Sequence, residues 1–344
     1  MIEFRDALAR IVNGGELTRD EAESIMRRVM EGEATPAQLG ALLAALSTRG
    51  ESVDEITGFA AALRAFAVPV RVTDDAIDTC GTGGDAAGTF NISTVAAIVC
   101  AAAGVPVAKH GNRAASSACG SADVLEALGV RIDLGPDEVA RCVADVGVGF
   151  MFAPRYHPAM KHAIPVRREL GVRTVFNILG PLANPARVRR QLLGVATPRL
   201  AERVARVLGA LGADRILVAH GEDGLDEISP CGPTRLYEFA QGAVRESVIR
   251  PEDVGLRSVS RAEIAGGDAA VNRDIAERVV AGEDGAPRTA VLLNAGAAVY
   301  VGGKARSIRD GVELAARAID SGAARTTLER FVERSQALAQ AAIA

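Results

Sequence analysis

The chain has 344 residues, 49% of them hydrophobic and 24% charged, and a formal net charge of -4. That length favours two domains over a single core, and the composition is that of a globular protein. The slight acidity excludes a general affinity for nucleic acid or anionic membrane, so any basic site has to be local. The uncharged run 94–108 contains Gly104 and Pro106 and is too short to span a bilayer. No leader-like block opens the chain, and the five cysteines show no CxxC spacing; reduced thiols in a cytoplasmic protein are expected.

Residues 1–67 read as helices. Thr18, followed by Asp20 and Glu21, caps a helix over 22–30; Thr35-Pro36 starts another over 37–46; Ser52 caps a third over 53–67. Pro69 ends the run, which places a small all-helical domain at 1–70 and a larger α/β domain at 71–344. From residue 76 the pattern alternates. Strands are expected over 76–79, 105–109, 148–152, 191–196 and 215–219, with helices over 93–103, 122–128 and 199–211. This rhythm predicts a mostly parallel central sheet covered by helices. Residues 234–239 and 243–249, joined by Gln241-Gly242, read as an edge hairpin, and the remainder is helical, with 289–301 buried. Segment 154–185 fits poorly, with Pro154, Pro158, Pro165, Pro181 and Pro185 around two short helices; part of 155–190 is expected to pack back onto the helical domain.

Three glycine- and hydroxyl-rich loops crowd into 78–121. Asp78-Thr-Cys-Gly-Thr-Gly-Gly-Asp85 lies between a strand and a helix, where α/β sheets bind ligands, and its glycines let backbone N–H groups approach an anion. A tight turn is the plainer alternative. The loop lacks both the GxGxxG spacing of dinucleotide folds and the GK[ST] ending of a P-loop. Asn91-Ile-Ser-Thr94 opens the next helix, either as a simple cap or with the Ser93 and Thr94 hydroxyls facing a phosphate or metal. Lys109-His-Gly-Asn-Arg-Ala-Ala-Ser-Ser117 follows, and a buried lysine at a strand end needs an anionic partner, which a phosphate supplies. Only three of the 39 basic residues are lysines, which adds weight to Lys109. Ser116, Ser117, Gly120 and Ser121 precede an apolar helix and form a second anion cradle. Two cradles and a lysine suggest a ligand with phosphates at both ends.

His220-Gly-Glu-Asp-Gly-Leu-Asp-Glu-Ile-Ser229 carries the adjacent Asp226 and Glu227, which suit Mg²⁺ bound through phosphates; a solvated acidic loop is the plainer reading. Zinc is disfavoured, because His157 and His162 are five apart and the cysteines are scattered. Arg167 draws interest from its place in the proline-broken segment, where Pro165 could aim it at a site.

Taken together, blocks 78–85, 91–94, 109–117, 120–129, 157–161, 165–185 and 220–229 resemble the anthranilate phosphoribosyltransferase family over nearly the whole chain. The resemblance implies a small helical domain that dimerises, a larger α/β domain, and an active site at the hinge between them. It implies transfer of the phosphoribosyl group of 5-phosphoribosyl 1-pyrophosphate to the amine of anthranilate, the second step from chorismate to tryptophan. By this resemblance the ribose substrate is expected at Gly81, Gly84, Asp85, Thr89, Asn91, Ile92, Ser93, Thr94, Lys109, His110, Gly111, Asn112, Arg113, Ala114, Ala115, Ser116, Ser117 and Ser121. Mg²⁺ is expected at Ser93, Asp226 and Glu227, and anthranilate at Gly81, Asn112 and Arg167, with His110 and His157 near its path. Asp85, Lys109 and Arg167 are the residues assigned to catalysis. The implied partners are these two substrates and a second copy of the chain, with no nucleic acid or membrane.

Two rival readings share the architecture. A pyrimidine nucleoside phosphorylase arranges the lysine and serines of its glycine loop differently and lacks a counterpart of 109–117. A nucleic-acid-binding paralogue would carry a basic groove and lack Asn112 or Arg167, both of which are present here.

Overall fold

A computed structural model describes residues 2–114 and 118–341. Four helices come first: α1 (Phe4–Val12), α2 (Arg19–Glu31), α3 (Pro36–Arg49) and α4 (Val53–Phe66). The last three begin with reciprocal caps, Thr18 with Glu21, Thr35 with Gln38 and Ser52 with Glu55. Each such box satisfies two N–H groups that the helix leaves unpaired. Glu55 does more than cap. Fully buried, its carboxylate also accepts from the Leu17 N–H at 3.0 Å and pairs with Arg49, tying the α1–α2 connection to α4.

The α/β part follows as β1 (Ile77–Gly81), α5 (Ile92–Ala102), β2 (Val107–Gly111), α6 (Ser121–Ala127), α7 (Pro136–Val146) and β3 (Val148–Phe152). The proline-broken stretch forms α8 (Ala153–Tyr156), a 3-10 turn (Pro158–His162), α9 (Ile164–Leu170) and α10 (Phe176–Leu182). Then come β4 (Arg190–Gly194), α11 (Pro198–Ala210), β5 (Arg215–Gly221), β6 (Thr234–Ala240) and β7 (Ala243–Ile249). Four helices close the described chain: α12 (Ala269–Val280), α13 (Ala286–Val301), α14 (Ile308–Asp320) and α15 (Ala323–Ala341). The strand expected over 105–109 runs two residues later, because Val105 still bonds back to the Cys100 carbonyl and finishes the turn out of α5. Helix α7, beyond the elements expected from the sequence, starts with proline at its first position.

The seven strands are ordered β3-β2-β1-β4-β5-β6-β7. The first five are parallel, and β6 and β7 form the antiparallel edge hairpin. Strand order reverses between β1 and β4, which opens a crevice beyond their carboxyl ends. Side chains alternate across the sheet with the period of two that the pleat imposes. Leu192 and Leu217 join α5 and α13 on one face. Leu193 and Val218 join Val204 and Leu208 of α11 on the other, in a core that runs on to Phe59 and Leu63 of α4. Ala163, Val166 and Phe176 of the proline-broken stretch are buried in that second core with Leu39 and Leu42 of α3.

Candidate active site

A cleft of about 460 Å³ lies at the carboxyl ends of β1 and β2, walled by the glycine loop, the start of α5 and the loop after β2. It gathers Gly81, Gly84, Asp85, Thr89, Asn91, Ile92, Ser93, Thr94, Lys109, His110, Gly111, Asn112, Arg113, Ala114, Ser121, Asp226 and Glu227. Ala115, Ser116 and Ser117 lie outside the described residues.

The glycine loop is folded over a carboxylate. Asp226 accepts from the Gly83 N–H at 2.6 Å, and Gly81 packs so tightly on the Asp226 carboxylate that any Cβ there would collide with it. Glu227 accepts from the backbone N–H of Ser93, at the start of α5, at 3.2 Å. Burial pushes the Asp226 carboxyl well above its usual range, and the charges of Glu227 and Asp85 push the same way. Burial raises Glu227 to about 7, against the pull of the Lys109 ammonium. Carboxylates so crowded favour a bound cation. Among the described residues no three His, Cys, Asp or Glu side chains are close enough to hold an ion unaided. Mg²⁺ commonly binds through one or two carboxylates plus substrate phosphates, and Asp226, Glu227 and the Ser93 hydroxyl fit that donor set.

Lys109 is almost wholly buried, and its ammonium donates to the Thr79 carbonyl and, at 3.3 Å, to the Ser93 hydroxyl. Both of these partners are neutral, and the internal negative charge near the ammonium is that of the Asp78 and Glu227 carboxyls. Asp78, also buried, accepts from the His110 N–H at 3.3 Å and from the Asn184 amide at 2.8 Å, and the lysine's charge opposes the upward push of burial on its carboxyl. The Thr94 hydroxyl lines the cleft, is buried, and has no partner among the described residues, as a group reserved for a ligand would be.

Asn91 is not the simple cap that its position allowed, since its side chain makes no capping bond to α5. Its amide donates to the Cys119 carbonyl at 3.1 Å, and its oxygen accepts from Asn272 at 2.9 Å, which fixes the loop after β2 against α12. In the second cradle, Asp123 already accepts from the N–H groups of Ala114 and Gly120, at 2.9 and 2.8 Å. Arg113 is held by Asp123 and Glu126 at 2.9 and 2.8 Å, so its charge is already matched.

His157 and Arg167 do not line the cleft. The His157 ring lies 5.0 Å from that of His110, and the buried Nε2 atoms of both are without a partner among the described residues. Arg167, on α9, sets its guanidinium 5.1 Å from the Phe176 ring, and burial pulls its pKa below the ordinary value. Arg173, Asn177, Gly266 and Gly267 also stand in the cleft wall, beyond the residues expected there from the sequence. Arg173 donates to the carbonyls of Gly84 and Gly83 at 3.2 and 3.3 Å, while its own carbonyl accepts from Ser47 on α3 at 3.0 Å. It straps the glycine loop to the helical bundle. The glycine pair 266–267 ahead of α12 was the one readable signal among these.

Known proteins resemble the chain throughout. The family model described as "Glycosyl transferase family, a/b domain" matches residues 73–325, and that described as "Glycosyl transferase family, helical bundle domain" matches residues 5–67. An anthranilate phosphoribosyltransferase from Rubrobacter xylanophilus is 54% identical over 98% of each chain. The crystal structure of an anthranilate phosphoribosyltransferase from Thermus thermophilus superposes with a TM-score of 0.91 at 46% identity, covering 96% of this chain and 99% of that one. The Saccharomyces cerevisiae enzyme, solved in complex with PRPP and Mg, matches with a TM-score of 0.88 at 25% identity over 97% and 98% of the two chains. With a helical bundle, a mostly parallel sheet and relatives of this identity along its full length, the chain belongs to the anthranilate phosphoribosyltransferase family.

Proposed function

We infer that the chain transfers the phosphoribosyl group of 5-phosphoribosyl 1-pyrophosphate to the amine of anthranilate, releasing pyrophosphate. The observation that carries this reading is a single cleft holding a glycine loop closed over the buried Asp226 carboxylate, the half-buried Glu227 beside it, an unpartnered Thr94 hydroxyl and a buried lysine. Gly84, Thr89, Asn91, Ile92, Thr94, Gly111, Asn112 and Ser121 would cradle the phosphates and ribose, the Ala114 N–H being already taken by Asp123. The tie to Asp226 fixes the glycine backbone before the substrate arrives. Mg²⁺ held by Ser93, Asp226 and Glu227 would neutralise charge on the departing pyrophosphate. Lys109 supports the same end by donating to Ser93 and by balancing the carboxylates around it. Asp85 adds negative charge next to Asp226 and, through the N–H of Ala87 at 3.1 Å, shapes the loop's exit.

The nucleophile is an aromatic amine, neutral at pH 7, so attack needs no strong base. Rate enhancement then rests on preorganised charge and on holding two substrates in line. Arg167 would pair with the anthranilate carboxylate once α9 and the sheet approach each other, with Gly81, Asn112, His110 and His157 bounding that path. Loss of anthranilate fluorescence on mixing the protein with PRPP and MgCl₂, abolished by EDTA, is the outcome expected. Folded protein that leaves the fluorescence unchanged overturns the reading.

A homodimer in the cytoplasm completes the proposal. Among the described residues no helix is long and apolar enough to cross a membrane. Val12 on α1 and Ile164 on α9 are 65% and 44% exposed, and both helices pack on α3, which supports pairing through the bundle. Sedimentation should give twice the 35.6 kDa chain mass, falling to one chain on replacing both residues with arginine; a monomeric wild type rejects the pairing.

A further inference from the structure

A second cavity, of about 550 Å³, lies at the other end of the sheet, beside the amino ends of β4 and β5. Arg19, Arg64, Arg187 and Arg189 line it together with residues 210–213, and no acidic side chain does. Arg189 pairs with Asp214 at 2.5 Å. The other contacts are to backbone carbonyls. Arg64 donates to Leu182 and Leu211 at 2.7 and 3.4 Å, Arg19 to Ala210 at 3.5 Å, and Arg187 to Arg64 at 3.0 Å.

Those carbonyls belong to the last turns or ends of α4, α10 and α11, so the arginines also act as C-terminal caps. Capping does not balance the charge. Four guanidiniums meet one carboxylate and three helix C-termini, each equivalent to about half a negative charge, which leaves an excess of roughly one and a half positive charges. Each guanidinium has about five N–H groups, and the bonds above use no more than two in any of them. The backbone points the same way. Arg187 has φ +50°, a left-handed conformation that side chains other than glycine, asparagine and aspartate seldom adopt and that clusters at ligand sites. Burial, together with the charge of Arg187, also draws Arg64 down to about 10.

We propose that this arginine-lined cavity is a second anion site, separate from the cleft, that takes a small phosphate-class oxyanion. Guanidinium forks match the paired oxygens of a phosphate. The bound anion bridges α4 of the bundle to the turn after α11 on the sheet side, and so braces the two parts of the molecule against each other. Inorganic phosphate and pyrophosphate are the two sources of this chemistry, and they form the two arms of the test.

Hydrogen exchange is measured on the full chain with phosphate, pyrophosphate, acetate or chloride at one ionic strength, reading peptides over 61–66 and 208–213. Phosphate or pyrophosphate, whichever is the ligand, is expected to slow exchange there, and acetate and chloride are not. Arg187→Gly, which keeps the left-handed backbone, is expected to raise the half-saturating concentration at least tenfold, and Arg19→Ala to raise it as well. Slowing by chloride equal to that by both phosphates, or an unaltered response in Arg187→Gly, overturns the proposal. Peptides over 81–94 report on the cleft separately, so failure of the catalytic reading would appear there and leave this site's outcome distinct.

Discussion

His110 and His157 are buried side by side, and their state sets a pH dependence for the fold. Burial, reinforced by the neighbouring His157, lowers His110 to about 3, and burial lowers His157 to about 4. In the unfolded chain both protonate near the ordinary value of 6.5, so between about pH 4 and 6.5 the unfolded state binds more protons. The two histidines therefore contribute a loss of stability as the pH drops through that window, roughly 2 kcal/mol each at pH 5. Glu227 and Asp226, whose carboxyls are raised in the folded state, contribute in the opposite direction. Urea midpoints at pH 7.5 and pH 5 check this: on acidification the midpoint of His157→Asn should fall less, or rise more, than that of the wild type, and equal changes in the two proteins would contradict it. Arg167 gives a second expectation at this scale. Arg167→Ala should raise the KM for anthranilate at least tenfold while changing that for PRPP less than twofold. An unchanged anthranilate KM removes the carboxylate from Arg167.

At the scale of elements, the connection between α9 and α10 acts as a strap. Arg173 reaches from it to two glycine-loop carbonyls while its backbone is held by Ser47 of α3. Arg173→Ala is expected to loosen the loop and raise the KM for PRPP several-fold, with little change in the urea midpoint. A lower midpoint with unchanged KM would make the strap structural only. Much of this level could be read from the sequence because its causes are local. Thr18, Thr35 and Ser52 announce their helices through caps three residues long, and Gln241-Gly242 announces the edge hairpin. The loops 78–85 and 91–94 were legible for the same reason. Arg173, Asn184 and Asn272 were not, since their partners Gly84, Asp78 and Asn91 lie 89, 106 and 181 residues away and only the folded sheet brings them together. Nor could sequence show that Asp123 already occupies the N–H groups of Ala114 and Gly120.

Across the whole molecule, the switch in strand order between β1 and β4 decides where chemistry is possible, and Arg173 ties that place to the bundle. One apolar core runs from α4 through α11 to β5, so the bundle is seated on the sheet and not merely tethered to it. On the proposed mechanism, approach of α9 to the cleft would occur by small shifts of packed helices around that seat. The most direct measurement is the initial rate of phosphoribosyl transfer against Mg²⁺ concentration, at saturating substrates, for the wild type and for Asp226→Asn with Glu227→Gln. The wild type should saturate with Mg²⁺, and the double variant should lose at least a hundredfold in rate while keeping its fold by circular dichroism. A folded double variant with the wild-type Mg²⁺ response would contradict the placement of the metal and the departing pyrophosphate beneath the glycine loop.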